Sequence, residues 1–229
     1  NISDASRFID DQTTNTLEIV QQAAALMTAD GRAMTDDNIF STLERYSIME
    51  IFSKVYYIDA ENTIYQPGSV KRLLADAEIR KKLEDGVSKV YVDNVETEDG
   101  YRGCVFYIVP VNRGYAHFGE LVAVQEIGDL LQSSSFQTLG EEGDVYLIGA
   151  KGSVYAKKEK NHALTEESPV EVFFNYLRSR AGDSYAAGNI SDVARNMHRK
   201  QYQKTSFVDK DSINNYLEIE AIHVVNNFY

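Results

Sequence analysis

The chain has 229 residues, 43% of them hydrophobic and 11% aromatic, which is enough material for one large or two small packed cores. No stretch reaches the roughly 20 consecutive apolar residues that cross a bilayer. A formal net charge of −12 argues against nucleic acid and against an anionic membrane surface as partners, since both are held through surplus Lys and Arg.

In chain order, the first segment reads as a long helix. Ala5, Phe8, Ile9, Leu17, Val20, Ala23, Ala24 and Met27 recur at three- and four-residue steps, with Ser3 or Asp4 placed to cap the start. Gln12, Thr13 and Thr16 interrupt that stripe. Two readings stand: a helix that packs partly on a second copy of itself, giving a homodimer, or one that covers the first module. Asp30-Gly31 breaks the helix, and Asp36-Asp37-Asn38 opens a shorter one through Phe40, Leu43, Tyr46, Ile48 and Phe52. Val55 to Tyr65 is then two β-branched and aromatic runs about a polar turn, a strand-turn-strand hairpin. After Pro67-Gly68 the pattern predicts a helix over 69–83, with Leu73, Leu74, Ala77 and Leu83 on one side, ended by Gly86. Two strands follow, Tyr101 to Val111 and Phe118 to Gln125, joined by Asn112-Arg113-Gly114. Ile127 to Leu131 reads as a short helix leaving the sheet.

The hairpin returns ninety positions later as Val145 to Tyr155, with Val, Tyr, Ile, Ala and the last Tyr identical and Asn62 replaced by Gly152. Both turn residues tolerate a left-handed backbone, which a short hairpin needs. The order also repeats: a helix from about Pro169 to Arg180, a further helix over 192–199 capped by Ser191, then strands at Gln203 to Val208 and Tyr216 to Val225 about the turn Asp209-Lys210-Asp211. The expected fold is therefore α+β, a long N-terminal helix followed by two tandem PAS-like modules with antiparallel sheets. The expected boundaries are a helical segment at 1–52 and modules at 53–138 and 139–229.

The phrases "VYYIDAENTIY", "FYIVPVNRG" and "FGELVAVQEIGDLL", with the long leading helix, resemble the double Cache sensor domain of bacterial transmembrane receptors. That resemblance covers essentially the whole chain. It implies an extracytoplasmic ligand-sensing domain, periplasmic or extracellular, set between transmembrane helices outside this sequence. Its output would be a histidine kinase, diguanylate cyclase or chemoreceptor module. The first module would be membrane-distal and hold the ligand, and the second would be membrane-proximal. A start at Asn1 with neither Met nor a signal-peptide core accords with an excised or processed fragment.

The amino-acid-binding branch of that family carries Arg-x-Trp-Tyr, a later Tyr-x-Asp and an Asp ending the last strand. Tyr91-Val92-Asp93 matches the Tyr-x-Asp, whose carboxylate would pair with a ligand ammonium. The chain has no Trp, and the final Asp position falls near Gln125 or Glu126, so the ligand class stays open. From residue chemistry alone, a pocket on the first sheet would draw on Tyr57, Tyr91, Asp93, Arg102, Tyr107 and Tyr115, since Tyr offers a flat apolar ring and a directional hydroxyl. In a chain with 15 Tyr, each is more often a half-buried sheet residue, and Asp93 and Arg102 each have a plain turn or charge-balancing reading.

Catalytic signatures are missing: no GxSxG, HExxH, Walker loop or GxGxxG occurs. A single cysteine, Cys104, excludes an internal disulfide and a thiolate metal cluster, and suits an extracytoplasmic bacterial protein. His117, His162, His198 and His223 lack metal-ligand spacing, and Asp30, Asp36 and Asp37 lack the spacing of a calcium loop. Glu141-Glu142 reads as a turn. The basic run Arg195, His198, Arg199, Lys200 reads as a solvated helix face. The favoured function is thus a small-molecule-binding sensor without cofactor or metal. The alternative is a secreted or envelope-anchored enzyme or accessory protein with a pocket in one module.

Overall fold

The computed structural model describes residues 2–29, 34–73, 86–97, 100–131, 144–149, 153–158, 165–166, 203–208 and 214–219, with Phe173, Asn175, Leu177, Asp192, Val193, 195–197 and Arg199. Outside these lie the predicted break at Asp30-Gly31, most of the helix expected over 69–83, the Glu141-Glu142 pair, His162, His198, Lys200, His223, Ser191, the Asp209-Lys210-Asp211 turn, the end of the last strand and the 138/139 boundary.

The elements are α1 (Ile2–Met27), α2 (Asp36–Ser47), β1 (Lys54–Asp59), β2 (Thr63–Gln66), β3 (Val70–Leu73), β4 (Lys89–Thr97), β5 (Gly100–Arg113), β6 (Ala116–Glu126), α3 (Ile127–Leu131), β7 (Val145–Ile148), β8 (Val154–Lys158), β9 (Thr165–Glu166), β10 (Gln203–Val208) and β11 (Asn214–Ile219). β1 to β6 form one sheet in the order β3-β2-β1-β6-β5-β4. Without the added edge strand β3, that is the strand order of a PAS-like sheet. The chain divides into two compact units, one of residues 13–91 and 105–126, the other of 1–12, 92–104 and 127–229.

In the first unit the β1–β2 hairpin pairs Tyr57 with Tyr65 and Ile58 with Ile64. Asp59 builds its turn, accepting the N–H groups of Glu61 at 2.9 Å and Thr63 at 2.8 Å on Oδ1 and the Tyr65 hydroxyl on Oδ2. Asn62 takes a φ of 66°, the left-handed conformation its residue type tolerates. β1 then runs antiparallel to β6, from Lys54↔Val124 to Asp59↔Gly119.

Strand alternation sorts the side chains into two faces. Val55, Tyr57 and Tyr65 share one face with Leu121 and Ala123, and α2 packs there through Phe40, whose ring centroid is 5.7 Å from that of Tyr65. Tyr107 and Gln125 join that face by a hydrogen bond, and α1 meets it there through Thr13 and Thr16. Thr13 and Thr16 are both buried while Gln12 is exposed. The interruption in the α1 stripe is therefore a polar contact with the sheet, which favours the covering reading of this helix.

Several expectations need correction. Ser3 and Asp4 sit inside the first turn of α1 instead of capping it. α2 ends at Ser47, which leaves Ile48 80% exposed. Val70 to Leu73, expected as helix, pair with β2 as an exposed edge strand. Gly68 and Ser69 are both left-handed, with φ of 78° and 59°, so the chain reverses tightly after Pro67 and sets β3 beside β2 before a helix can begin. Lys71 ties this edge to α2 through an ion pair with Asp36, with its ammonium 4.8 Å above the Tyr65 ring. β4 was not foreseen as a strand.

The second unit contains its own hairpin, in which Ile148 pairs with Val154 and Gly149 N–H donates to Ser153 O at 2.8 Å. Phe173, Leu177, Val193 and Met197, all helical, are buried here with Leu147, Ile148 and Ala156. The Phe173 ring lies 5.4 Å from Tyr146. β10 and β11 pair from Gln203↔Ile219 to Val208↔Asn214, and the Gln203 amide donates to Val193 O at 3.1 Å. Gly103 of β5 lies against Ile127 and Tyr155, so close that a Cβ would stand 2.9 Å from the Ile127 side chain.

Candidate functional site

The face of the sheet turned away from α1 carries the better candidates. Within β4, Tyr91 and Asp93 are alternate residues and share one face, and within β5 Arg102, Cys104 and Phe106 do the same. The Tyr91 and Phe106 rings stack at 4.8 Å between centroids and 5° between planes, and both residues are half-buried. Such a pair is a flat apolar platform with an accessible rim. Asp93 accepts the N–H of Asn94 at 2.9 Å. With burial as the main cause, the negative charge of Asp93 helps push the Tyr155 phenol up to about 12. On β6, Gln125 is turned to the helix face by its bond to Tyr107, so its neighbour Glu126 falls on the platform's face.

Tyr57 and Tyr107 are placed elsewhere. Both are buried on the helix face. Tyr57 donates its hydroxyl to Phe118 O, and Tyr107 donates to Gln125 Oε1 at 2.8 Å. Burial pushes both phenols far above their ordinary value, with Asp59, Tyr65 and Glu120 adding to the effect at Tyr57. They are core tyrosines with their hydroxyls satisfied. Tyr115 stands fully exposed at the β5–β6 turn, where Gly114 is left-handed with a φ of 61°. It lines no pocket with the others. Phe106, which is not among the residues that the sequence pattern singles out, is the one that stacks on Tyr91. The signal was the alternation from Arg102 to Cys104 to Phe106, one residue out of phase with the Tyr107 that was chosen for its hydroxyl.

A second polar cluster lies beside the β5–β6 turn. His117 Nε2 is 3.5 Å from Glu120 Oε1, a buried carboxylate, and its Nδ1 is 2.8 Å from Asn112 Oδ1. On β2, Tyr65 is pushed up to about 12, by burial first and then by the Asp59 charge and hydrogen bond. Among the described residues no group of three or more His, Cys, Asp or Glu side chains could hold a metal ion, and no helix is long and apolar enough to cross a membrane. Cys104 is a buried free thiol. Arg195, from the basic run, pairs with Asp192 at 2.9 Å in the open, as a solvated helix face would.

No protein-family model matches the sequence, and no curated protein matches it significantly. Solved structures do match. The extracellular domain of mmHK1S-Z2, described as a histidine kinase, superposes with a TM-score of 0.65 at 10% identity, covering 98% of this chain and 91% of that one. That of soHK1S-Z6 gives 0.58 at 11% identity, over 97% and 87%. The ligand-binding domain of the Campylobacter jejuni chemoreceptor Tlp3, in complex with L-norvaline, gives 0.57 at 12% identity, over 92% and 79%. At such identities the likeness concerns the fold, and it runs along nearly the whole chain. The chain therefore has the α+β fold of extracellular receptor sensor domains, the architecture of the double Cache resemblance.

Proposed function

We propose that this chain is the extracytoplasmic sensing part of a bacterial transmembrane signalling receptor, feeding a histidine kinase, diguanylate cyclase or chemoreceptor module. On this reading 1–52 is the leading helical segment, 53–138 the membrane-distal module and 139–229 the membrane-proximal one. A small molecule binds the distal module on the face away from α1. The observation that carries this is the Tyr91–Phe106 stack, with Asp93 at the next alternate position of β4. An aromatic platform beside a carboxylate suits a ligand with a cationic end and a flat or apolar body. The Tlp3 complex with an amino acid supports a small polar ligand, and the lack of an Arg-x-Trp-Tyr segment favours one that needs no carboxylate clamp. Pairing of two copies along α1 uses its outward residues, such as Asp11, Asn15 and Glu18, because Thr13 and Thr16 are turned to the sheet.

The test is calorimetric titration of the fragment with amines, amino acids, organic acids, purines and sugars. Asp93→Ala and Tyr91→Ala should each weaken a cationic hit by about tenfold or more, as loss of a charge-assisted contact or stacking surface predicts, while Tyr115→Ala should not. A ligand whose affinity is indifferent to both substitutions would place the site elsewhere.

A further inference from the structure

Asp93, the carboxylate of the candidate site, sits on the strand that closes the order β3-β2-β1-β6-β5-β4. A terminal strand is held by fewer ladder bonds than a central one, so support from outside the sheet matters most there. One residue of the second hairpin meets both β4 and β5 at this place. On β5, Gly103 lies so close to Tyr155 that a Cβ added there would stand 3.2 Å from Tyr155 O and 3.3 Å from Tyr155 Cβ. On β4, the Tyr155 hydroxyl donates to Val92 O at 3.5 Å. Tyr155, Val92 and Gly103 are all buried. The bond is long, but it is made inside the protein, where a hydrogen bond counts for more than in water. Burial first, and then the Asp93 charge, push the phenol up to about 12, so it keeps its proton and acts as a donor. Asp93 follows Val92 directly, and residues 92–104 belong to the same compact unit as the second hairpin. A carboxylate holds a cation well only while its direction is fixed, because a loose side chain must be ordered on binding.

We propose that Tyr155 is a positioning residue for Asp93: it braces β4 at Val92, so that a side chain of the second hairpin sets the affinity of the first sheet for a cationic ligand. The coupling is reciprocal, since a ligand that draws on Asp93 alters the strand on which Tyr155 rests. The link to a ligand rests on the function proposed above, whereas the brace does not.

The first arm of the experiment needs no ligand. It follows by NMR the amide exchange of Asn94, whose N–H donates to Asp93 Oδ1 at 2.9 Å and so reports on that carboxylate. Tyr155→Phe keeps the ring and removes the hydroxyl. It should speed exchange at Asn94 by about fivefold and leave Tyr57 and Ile58 on β1 unchanged. A ring that merely fills space predicts no change at Asn94. An unchanged Asn94 rate overturns the proposal, as does an equal acceleration on β1, which is general loosening. Should Tyr155→Phe not fold, Asp93→Asn takes its place and the readout moves to Gly149, whose N–H closes the second hairpin on Ser153 O at 2.8 Å. Exchange there should quicken by about twofold to fivefold, and an unchanged Gly149 rate overturns the proposal. The second arm uses phenethylamine, an ammonium with a flat apolar body, in calorimetric titration. Tyr155→Phe should weaken its binding by about fivefold while Tyr115→Ala leaves it unchanged. Binding that depends on Asp93 but ignores Tyr155→Phe overturns the proposal. The expected exchange response together with no binding of phenethylamine, or with binding indifferent to Asp93→Ala, overturns the cationic-ligand reading alone.

Discussion

Gly119 offers the sharpest test of how β1 and β6 fit together. Its φ is 145°, a backbone conformation that side chains with a Cβ rarely adopt, and an added Cβ would stand 2.0 Å from Ile58 O, 2.8 Å from Asp59 Cα and 2.9 Å from the Tyr57 hydroxyl. The first two neighbours are backbone, so no rotamer change relieves the clash. Gly119→Ala therefore carries a backbone penalty of about 1–3 kcal/mol. It also opens the Asp59↔Gly119 end of the ladder and disturbs the Tyr57 hydrogen bond to Phe118 O, for a total of about 3–5 kcal/mol. At about 2–4 °C per kcal/mol for a chain of this size, the melting temperature should fall by about 6–20 °C, followed by circular dichroism. Gly114→Ala is the control. It shares a positive φ of 61° but has nothing within 4 Å of the added Cβ, so it should lose only about 1–2 kcal/mol. If Gly119→Ala melts no lower than Gly114→Ala, close approach of the two strands is not what requires glycine at 119.

Two further outcomes follow from burial. Leu43 is fully buried and Ile48 is 80% exposed, so Leu43→Ala should lose about 2–5 kcal/mol in a urea titration while Ile48→Ala stays within about 0.5 kcal/mol of the parent; equal losses would contradict the placement of α2. Tyr56, Tyr65 and Tyr155 are all pushed up to about 12, with burial as the first cause. The folded state then keeps protons that the unfolded chain releases near pH 10, so their contribution is complete below about pH 10 and is lost as the pH climbs toward about 12. Phenolate absorbance should lag behind that of free tyrosine until the circular dichroism signal of the fold disappears, and full ionisation near pH 10 in a folded chain would refute this.

Local pattern made the two hairpins legible. Alternating β-branched and aromatic residues about Asn62 leave little other choice, and the same holds for Gln203 to Val208. The short helix at Ile127 to Leu131 was also readable, because its apolar residues fall at helical spacing directly after a strand. Val70 to Leu73 was not readable: Leu73, Leu74 and Ala77 suit a helix, and only the paired left-handed turn at Gly68 and Ser69 overrides that pattern. Ser69 is not a residue whose type announces such a conformation. β4 was hidden because Lys89, Asp93 and Asn94 make it look like a loop, although Val90, Tyr91 and Val92 already alternate between buried and half-buried. At the candidate site, choosing by hydroxyl picked Tyr107, and choosing by strand phase would have picked Phe106. Which face a strand residue occupies depends on the partner strand and the covering helix, and neither is written in the strand itself.

The irregularity in the second hairpin limits what its likeness to the first can transfer. Ile148↔Val154 repeats Ile58↔Ile64, but the next pair is Leu147↔Ala156 where the first hairpin has Tyr57↔Tyr65. Tyr155 is thus the extra residue of a bulge, and its hydroxyl reaches toward Val92 O at 3.5 Å instead of leaning on a cross-strand aromatic. Beyond that point the two copies agree as text and disagree as objects. A substitution at Tyr65 has no counterpart at Tyr155, and carrying a role from one hairpin to the other by aligned letters lands it one residue away from where the geometry keeps it.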